Sequence, residues 1–217
     1  MVRELGTKAS ADDRIDVDGE PLARPRRLRY VLLHKPTGCV TTRDDPAGRA
    51  TVYDLLFDDD RILHPVGRLD FDTAGLLLLT NDGELTERLT HPRYGIERAY
   101  RVVTKPRPNE RFVKALRRGV ELEDGLAKPT AVRLAAPDTV ELTLTEGRNR
   151  EVRRMVEALD HEVLALVRVR YGPLHLGHVK PGKARPLRPD EVARLRADVG
   201  LGEGPEPRVV GRPPQPS

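Results

Sequence analysis

The stretch His64-Pro65-Val66-Gly67-Arg68-Leu69-Asp70-Phe71-Asp72-Thr73-Ala74-Gly75 holds the densest set of chemistry-bearing residues in the 217-residue chain. It joins two apolar segments and carries two glycines, which permit backbone angles closed to other residues. Asp70 stands two residues after an arginine and directly before an aromatic ring. A neighbouring cation keeps such a carboxylate ionised and aimed, so Asp70 is a candidate nucleophile. A solvated turn aspartate has the same local spacing, and spacing alone does not separate the two.

A second constellation runs Glu146-Gly147-Arg148-Asn149-Arg150-Glu151-Val152-Arg153-Arg154-Met155. On a helix, Arg150, Arg153 and Arg154 fall within about 100° of one another, with Val152, Met155, Val156 and Leu159 opposite. Such a helix buries its apolar back and turns guanidinium groups toward an RNA backbone or a carboxylate. Arg148 precedes it, near N–H groups that favour phosphate. Four arginines in seven residues, with one acid among them, is denser than an ordinary solvated face.

Other chemistry is thinly represented. His175 and His178 are separated by Leu176 and Gly177 with no third ligand nearby, so no metal is expected. Gly147-Arg148 lacks the Gly-Lys-Ser/Thr of a phosphate loop, and no dinucleotide fingerprint occurs. Tyr100, near the start of a strand, reads on pattern alone as half-buried core. The single cysteine, Cys39, excludes a disulfide framework or a Cys-rich zinc site. The leucine run Leu76 to Leu79 is far short of the ~20 residues of a membrane helix. The N-terminus has no apolar signal segment, and a cytoplasmic protein is expected.

Charge points to an anionic partner. The net charge is +4, and 31 of the 38 basic residues are arginine. A GC-rich genome produces the same arginine bias, but the placement is uneven. Arg24 to Arg43 holds six bases and no acid, and Thr145 to Arg196 holds twelve bases against seven acids. Three Phe, five Tyr and no Trp make an aromatic stacking platform a poor reading. A nucleic acid here is gripped by arginine and shape.

The elements that position these residues alternate along the chain. Strands are expected at Tyr30–Leu33, Leu76–Thr80, Ala99–Thr104, Ala131–Leu134, Val140–Thr145 and Glu162–Tyr171. Helices are expected at Val52–Phe57, Glu84–Thr90, Asn109–Arg118, Asn149–Leu159 and Pro189–Ala197. Asn81-Asp82-Gly83 reads as a tight turn, and Asp18-Gly19 as a hairpin turn after Ile15 and Val17. Several connections are hairpin-short, so the sheet is mixed or mainly antiparallel, an α+β fold. Residues 1–23 read as a polar fragment without its own core, 24–198 as one domain, and 199–217 as a disordered Pro/Gly-rich tail.

At this point the motifs are recognisable. Leu32–Thr42, His64–Leu85, Glu97–Val103 and Leu144–Gly177 closely resemble, in order, the ribosomal RNA pseudouridine synthases of the RsuA/RluB/RluE/RluF family. The likeness spans Tyr30 to Arg196, and Gly-Arg-Leu-Asp and Glu-Gly-Arg-Asn-Arg are its most specific segments. It implies the pseudouridine synthase core, with RNA entering a basic cleft across the sheet. It makes Asp70 the nucleophile, Tyr100 the contact to a flipped uracil, and Arg153 the arginine paired with Asp70. Arg68 takes the role of displacing the target base, and Lys35, Arg148, Asn149, Arg150 and Arg154 join the RNA surface. No cofactor or metal is implied. The implied partner is ribosomal RNA, leaning to the large subunit, and the chain is expected to be a monomer. Residues 1–23 then correspond to the end of a ribosomal-protein-type RNA-binding domain. Two competing classes are a non-catalytic RNA-binding protein and a glycosidase using Asp70 with Asp72, the latter without support from the spacing.

Overall fold

The computed structural model describes residues 27–202, together with a two-residue ladder that pairs β1 (Asp16–Val17) with β2 (Glu20–Pro21). This ladder is the hairpin expected around Asp18-Gly19. The rest of the 1–23 fragment and residues 203–217 lie outside the described residues.

After this ladder come β3 (Tyr30–Lys35), the two-residue β4 (His64–Pro65) and β5 (Ala74–Thr80). Next come α1 (Gly83–Thr90), β6 (Arg98–Lys105), α2 (Glu110–Arg118) and a small hairpin of β7 (Val120–Leu122) and β8 (Gly125–Ala127). The chain continues through β9 (Ala131–Ala136), β10 (Thr139–Leu144), α3 (Glu151–Glu157) and β11 (Glu162–Tyr171). It closes with β12 (Leu174–His175), β13 (Ala184–Pro186) and α4 (Pro189–Asp198). The main sheet runs β13-β3-β5-β11-β6-β10-β9, with β4 on β5 and β12 on β11. Every described strand pair is antiparallel except β5 with β11, so the α+β, mainly antiparallel expectation holds.

Both faces of the sheet are covered at its β3–β5 end. In β3 and β5, Tyr30, Leu32, Leu76 and Leu78 pack against Leu85 and Leu89 of α1 and Val192 and Leu195 of α4. The alternate residues Val31, Leu33, Leu77 and Leu79 pack on the other face, against Val52, Tyr53, Leu56 and Leu63. A run of four leucines is therefore what a doubly covered strand needs. At the other end, Val102, Val140, Leu142 and Leu166 pack under Phe112, Val113 and Leu116 of α2 and Val152, Met155 and Val156 of α3.

Asn81-Asp82-Gly83 turns the chain directly into α1, with Asp82 as the cap, its carboxylate accepting from the Leu85 N–H at 3.0 Å. Two expectations change. The Val52–Phe57 helix shrinks to a 3-10 turn at Val52–Leu55, and Phe57 is exposed. The core also runs past residue 198, because Val199 and Leu201 are buried in the cluster under α1.

Candidate active site

A cavity of about 780 Å³ opens where the Gly67–Gly75 loop, Tyr100 of β6 and the loop from Thr145 to Arg150 converge. The parallel pairing of β5 with β11 creates this junction by placing Gly75 against Arg168. Gly75 has φ +117°, and a Cβ there would lie 2.3 Å from the Arg168 carbonyl oxygen. Only glycine lets the two backbones approach so closely.

The loop that carries Asp70 is fixed from behind, carbonyl by carbonyl. The Leu69 oxygen accepts from the Thr41 hydroxyl at 2.8 Å, and the Phe71 oxygen from the Gly38 N–H at 2.9 Å. The Asp72 oxygen accepts from Arg153 Nη2 at 2.7 Å. Lys35 Nζ donates to Asp70 O at 2.8 Å, Thr73 O at 2.9 Å and Pro36 O at 3.1 Å. Five successive carbonyls, Leu69 to Thr73, are engaged. The half-buried Asp70 carboxylate, in contrast, has no hydrogen bond or ion pair among the described residues and lines the cavity. Backbone held and carboxylate unclaimed is a preorganised arrangement for attack.

The structure divides the expected site residues into two groups. Asp70, Tyr100, the exposed Arg68 and the exposed Asn149 line the cavity with side-chain polar groups that are uncommitted among the described residues. The others are committed. Lys35 is 0% exposed and its three carbonyls use all its donors, so it is a brace for the loop and not an RNA contact. Burial pushes its pKa down, opposed by nearby acidic groups including Asp70 and Asp72. Arg148 spends its guanidinium on the carbonyls of Asp124, Gly125 and Leu126 and on the Glu146 carboxylate, clamping the β7–β8 hairpin. Its own N–H donates to the Glu151 carboxylate at 3.2 Å, tying the loop to the first turn of α3. Arg154 makes two 2.9 Å bonds to Asp124 and does not line the cavity.

Arg153 departs furthest from expectation. Its guanidinium, 9% exposed, lies 3.2 Å from Asp72 Oδ2 through Nε and bonds the Asp72 carbonyl, with no ion pair to Asp70. Arg150 takes both Asp72 oxygens, at 3.1 and 3.0 Å. Burial alone would raise the Asp72 carboxyl, but Arg150 and Arg153 hold it below its ordinary range. Asp72 is thus an ion-pair partner for Arg150 and Arg153, an arrangement that gives no support to a glycosidase acid. The expected shared face of Arg150, Arg153 and Arg154 also fails, because Arg150 has φ +47° and stands outside the helix.

Residues that pattern did not single out form the floor. The Arg98 and Arg168 guanidinium groups both lie over the Tyr171 ring, 5.1 and 4.9 Å from its centre. Arg98 donates to the carbonyls of Leu89, Ile96 and Thr145, tying the third wall to the sheet. Arg168 donates to Leu76 O at 2.8 Å, and its Nη2 and the Thr73 hydroxyl are buried beside the cavity without a protein partner. Arg168 shares strand parity with the buried Leu166, which was the available signal for an inward arginine. The net effect is a cavity whose walls carry more guanidinium than carboxylate. Among the described residues, no three His, Cys, Asp or Glu side chains come together in a way that could hold a metal ion.

The sequence pattern of the RNA pseudouridylate synthases matches residues 29–158. The chain is 43% identical over 209 residues to the ribosomal large subunit pseudouridine synthase B of Bacillus subtilis, covering 94% of this chain and 85% of that protein. It is 37% identical to the ribosomal small subunit pseudouridine synthase A of Escherichia coli, covering 90% of this chain and 86% of that one. A crystal structure of a pseudouridylate synthase superposes with a TM-score of 0.74 at 34% identity, over 89% of this chain and 85% of the other. With its fold, its Gly-Arg-Leu-Asp loop and these relatives in agreement, the chain belongs to the RNA pseudouridylate synthase family.

Proposed function

We propose that the protein converts a uridine of ribosomal RNA, in the large subunit, to pseudouridine, with Asp70 as the nucleophile. The observation that carries this reading is the Asp70 carboxylate, uncommitted in the cavity while its backbone is pinned on both sides. The large-subunit assignment follows the likeness to the Bacillus enzyme. Action on ribosomal RNA supports a cytoplasmic reading. No helix among the described residues is long and apolar enough to cross a membrane.

The chemistry is an isomerisation. The bond from ribose C1′ to N1 of the base breaks, the base turns, and C1′ joins C5. The C5 proton leaves and N1 gains one, so the formula and redox level are unchanged and no cofactor is consumed. A stacked base hides these atoms, so the nucleotide is extruded into the cavity. Asp70 then adds to C6 of the base or assists its departure from the sugar. Tyr100 packs against the base or moves the C5 proton. Arg68, exposed beside Asp70, takes the space vacated by the base. Arg153 acts one step back, bonding the Asp72 carbonyl and so holding the loop.

The test is Asp70→Asn, which keeps size and removes charge. Tritium release from RNA labelled at C5 of uridine should fall at least one-hundredfold, a barrier increase of more than ~3 kcal/mol, with folding and RNA affinity retained. Arg153→Ala should lose less, since the carboxylate remains. Residual turnover of Asp70→Asn above about one-hundredth of the parent would return Asp70 to an ordinary turn residue.

A further inference from the structure

Each arginine of the Arg148–Arg154 segment has a partner, but the partners differ in how firmly they hold. Arg148 and Arg154 side chains are 22% and 28% exposed, and each meets several acceptors in and around the β7–β8 hairpin. Arg153, at 9%, is anchored to a backbone carbonyl. Arg150 alone is bound only by another exposed side chain: it is 42% exposed, and Asp72 is 41% exposed. Ion pairs between exposed side chains contribute little in water and exchange readily. The two parallel bonds from Arg150 to Asp72 also have the geometry in which a guanidinium takes a phosphate. Arg150 lines the cavity wall and Asp72 does not. The left-handed backbone of Arg150 (φ +47°, ψ +31°) sets its side chain off from the helix that follows.

Resting on the reading that this cavity takes RNA, we propose that the Asp72 carboxylate is a stand-in for an RNA phosphate. It holds Arg150 in the free enzyme and yields it to a phosphodiester of the substrate beside the flipped nucleotide. Asp72 keeps Arg153 throughout, so the loop stays pinned when Arg150 leaves. The exchange swaps one anion for another on the same cation, and no covalent bond changes. Its consequence is selectivity: Arg150 is kept from unrelated anions and is won by a polyanion that also fills the cavity.

A double-mutant cycle on RNA affinity tests this, with an in vitro transcript of unmodified large-subunit ribosomal RNA as the probe at several salt concentrations. Asp72→Asn should bind about three- to tenfold more tightly than the parent, the scale of a released surface pair. Arg150→Ala should bind more weakly by a similar factor, with a shallower salt dependence. The double variant should bind no better than Arg150→Ala, because the gain requires Arg150. A gain from Asp72→Asn that persists without Arg150 would be general charge removal and overturns the proposal, as would unchanged or weaker binding by Asp72→Asn. Melting temperatures are measured alongside. If both Asp72→Asn and Asp72→Ser fail to fold, the carboxylate is a fixed counter-charge for Arg153 and the proposal falls. Turnover is not part of this readout, so an active Asp70→Asn would defeat the assigned nucleophile and leave the exchange standing.

Discussion

A lysine can serve a phosphodiester or a backbone, and Lys35 shows how burial decides between them. Its ammonium replaces water with three carbonyls, two of them on the loop that presents Asp70. Lys35→Met keeps the stem and leaves the Thr73 oxygen without its donor, a loss on the order of 1–3 kcal/mol. Urea unfolding should show that loss, and turnover should fall with the slackened loop, while RNA affinity in the folded fraction stays near the parent's. A selective loss of affinity would restore Lys35 to the RNA surface. The sequence exposed Asp70 because a whole motif surrounds it. It could not sort the arginines, because their partners arrive from elsewhere: Asp72 is 78 residues from Arg150, and Asp124 is 30 from Arg154.

Among elements, the most exacting contact is the parallel crossing of β5 and β11, where Gly75 meets Arg168 backbone to backbone. Gly75→Ala cannot be absorbed by a side-chain shift, because the atoms in the way are main chain and the φ of +117° disfavours any Cβ. The variant should lose about 3 kcal/mol or more, lowering Tm by about 6–12 °C for a domain of this size. A melting curve that matches the parent would mean the crossing relaxes. The long elements were legible in advance because their periodicity is sustained: β11 runs Glu162–Tyr171 as expected, and α2 starts one residue after its Asn109 cap. The β7–β8 hairpin and β13 were not, since strands of three residues, one of them Ala-Arg-Pro, are too short to show alternation. The Asn149–Leu159 helix shortened to Glu151–Glu157 because a left-handed Arg150 starts it late.

Across the whole molecule, polar ties close the sheet's helical flank. Glu191 of α4 accepts both Arg185 bonds at 2.7 Å from the edge strand β13, and Arg196 reaches Asp82 at 2.8 Å, which also accepts from the Tyr30 hydroxyl. The hydrogen bonds from Arg185 hold the Glu191 carboxyl below its ordinary value of 4.5. The unfolded chain therefore takes up this proton first, so the contribution is full above about pH 4.5 and is lost as pH falls through the folded value. Glu191→Gln should be less stable than the parent at pH 7, and the gap should close as pH falls through the folded carboxyl's lowered range, a change followed by thermal melts into acid. A constant gap would mean that the charge is irrelevant. The pinned Leu69–Thr73 backbone has a consequence at this scale as well. On the proposed reading, a nucleophile that does not travel leaves all the motion to the RNA. Unstacking a base takes a few kcal/mol, and every ~1.4 kcal/mol is a tenfold change in rate. A uridine already loose in a bulge or loop thus gains orders of magnitude over one locked in a helix, and the rigidity of the protein becomes a sensor of slack in its substrate.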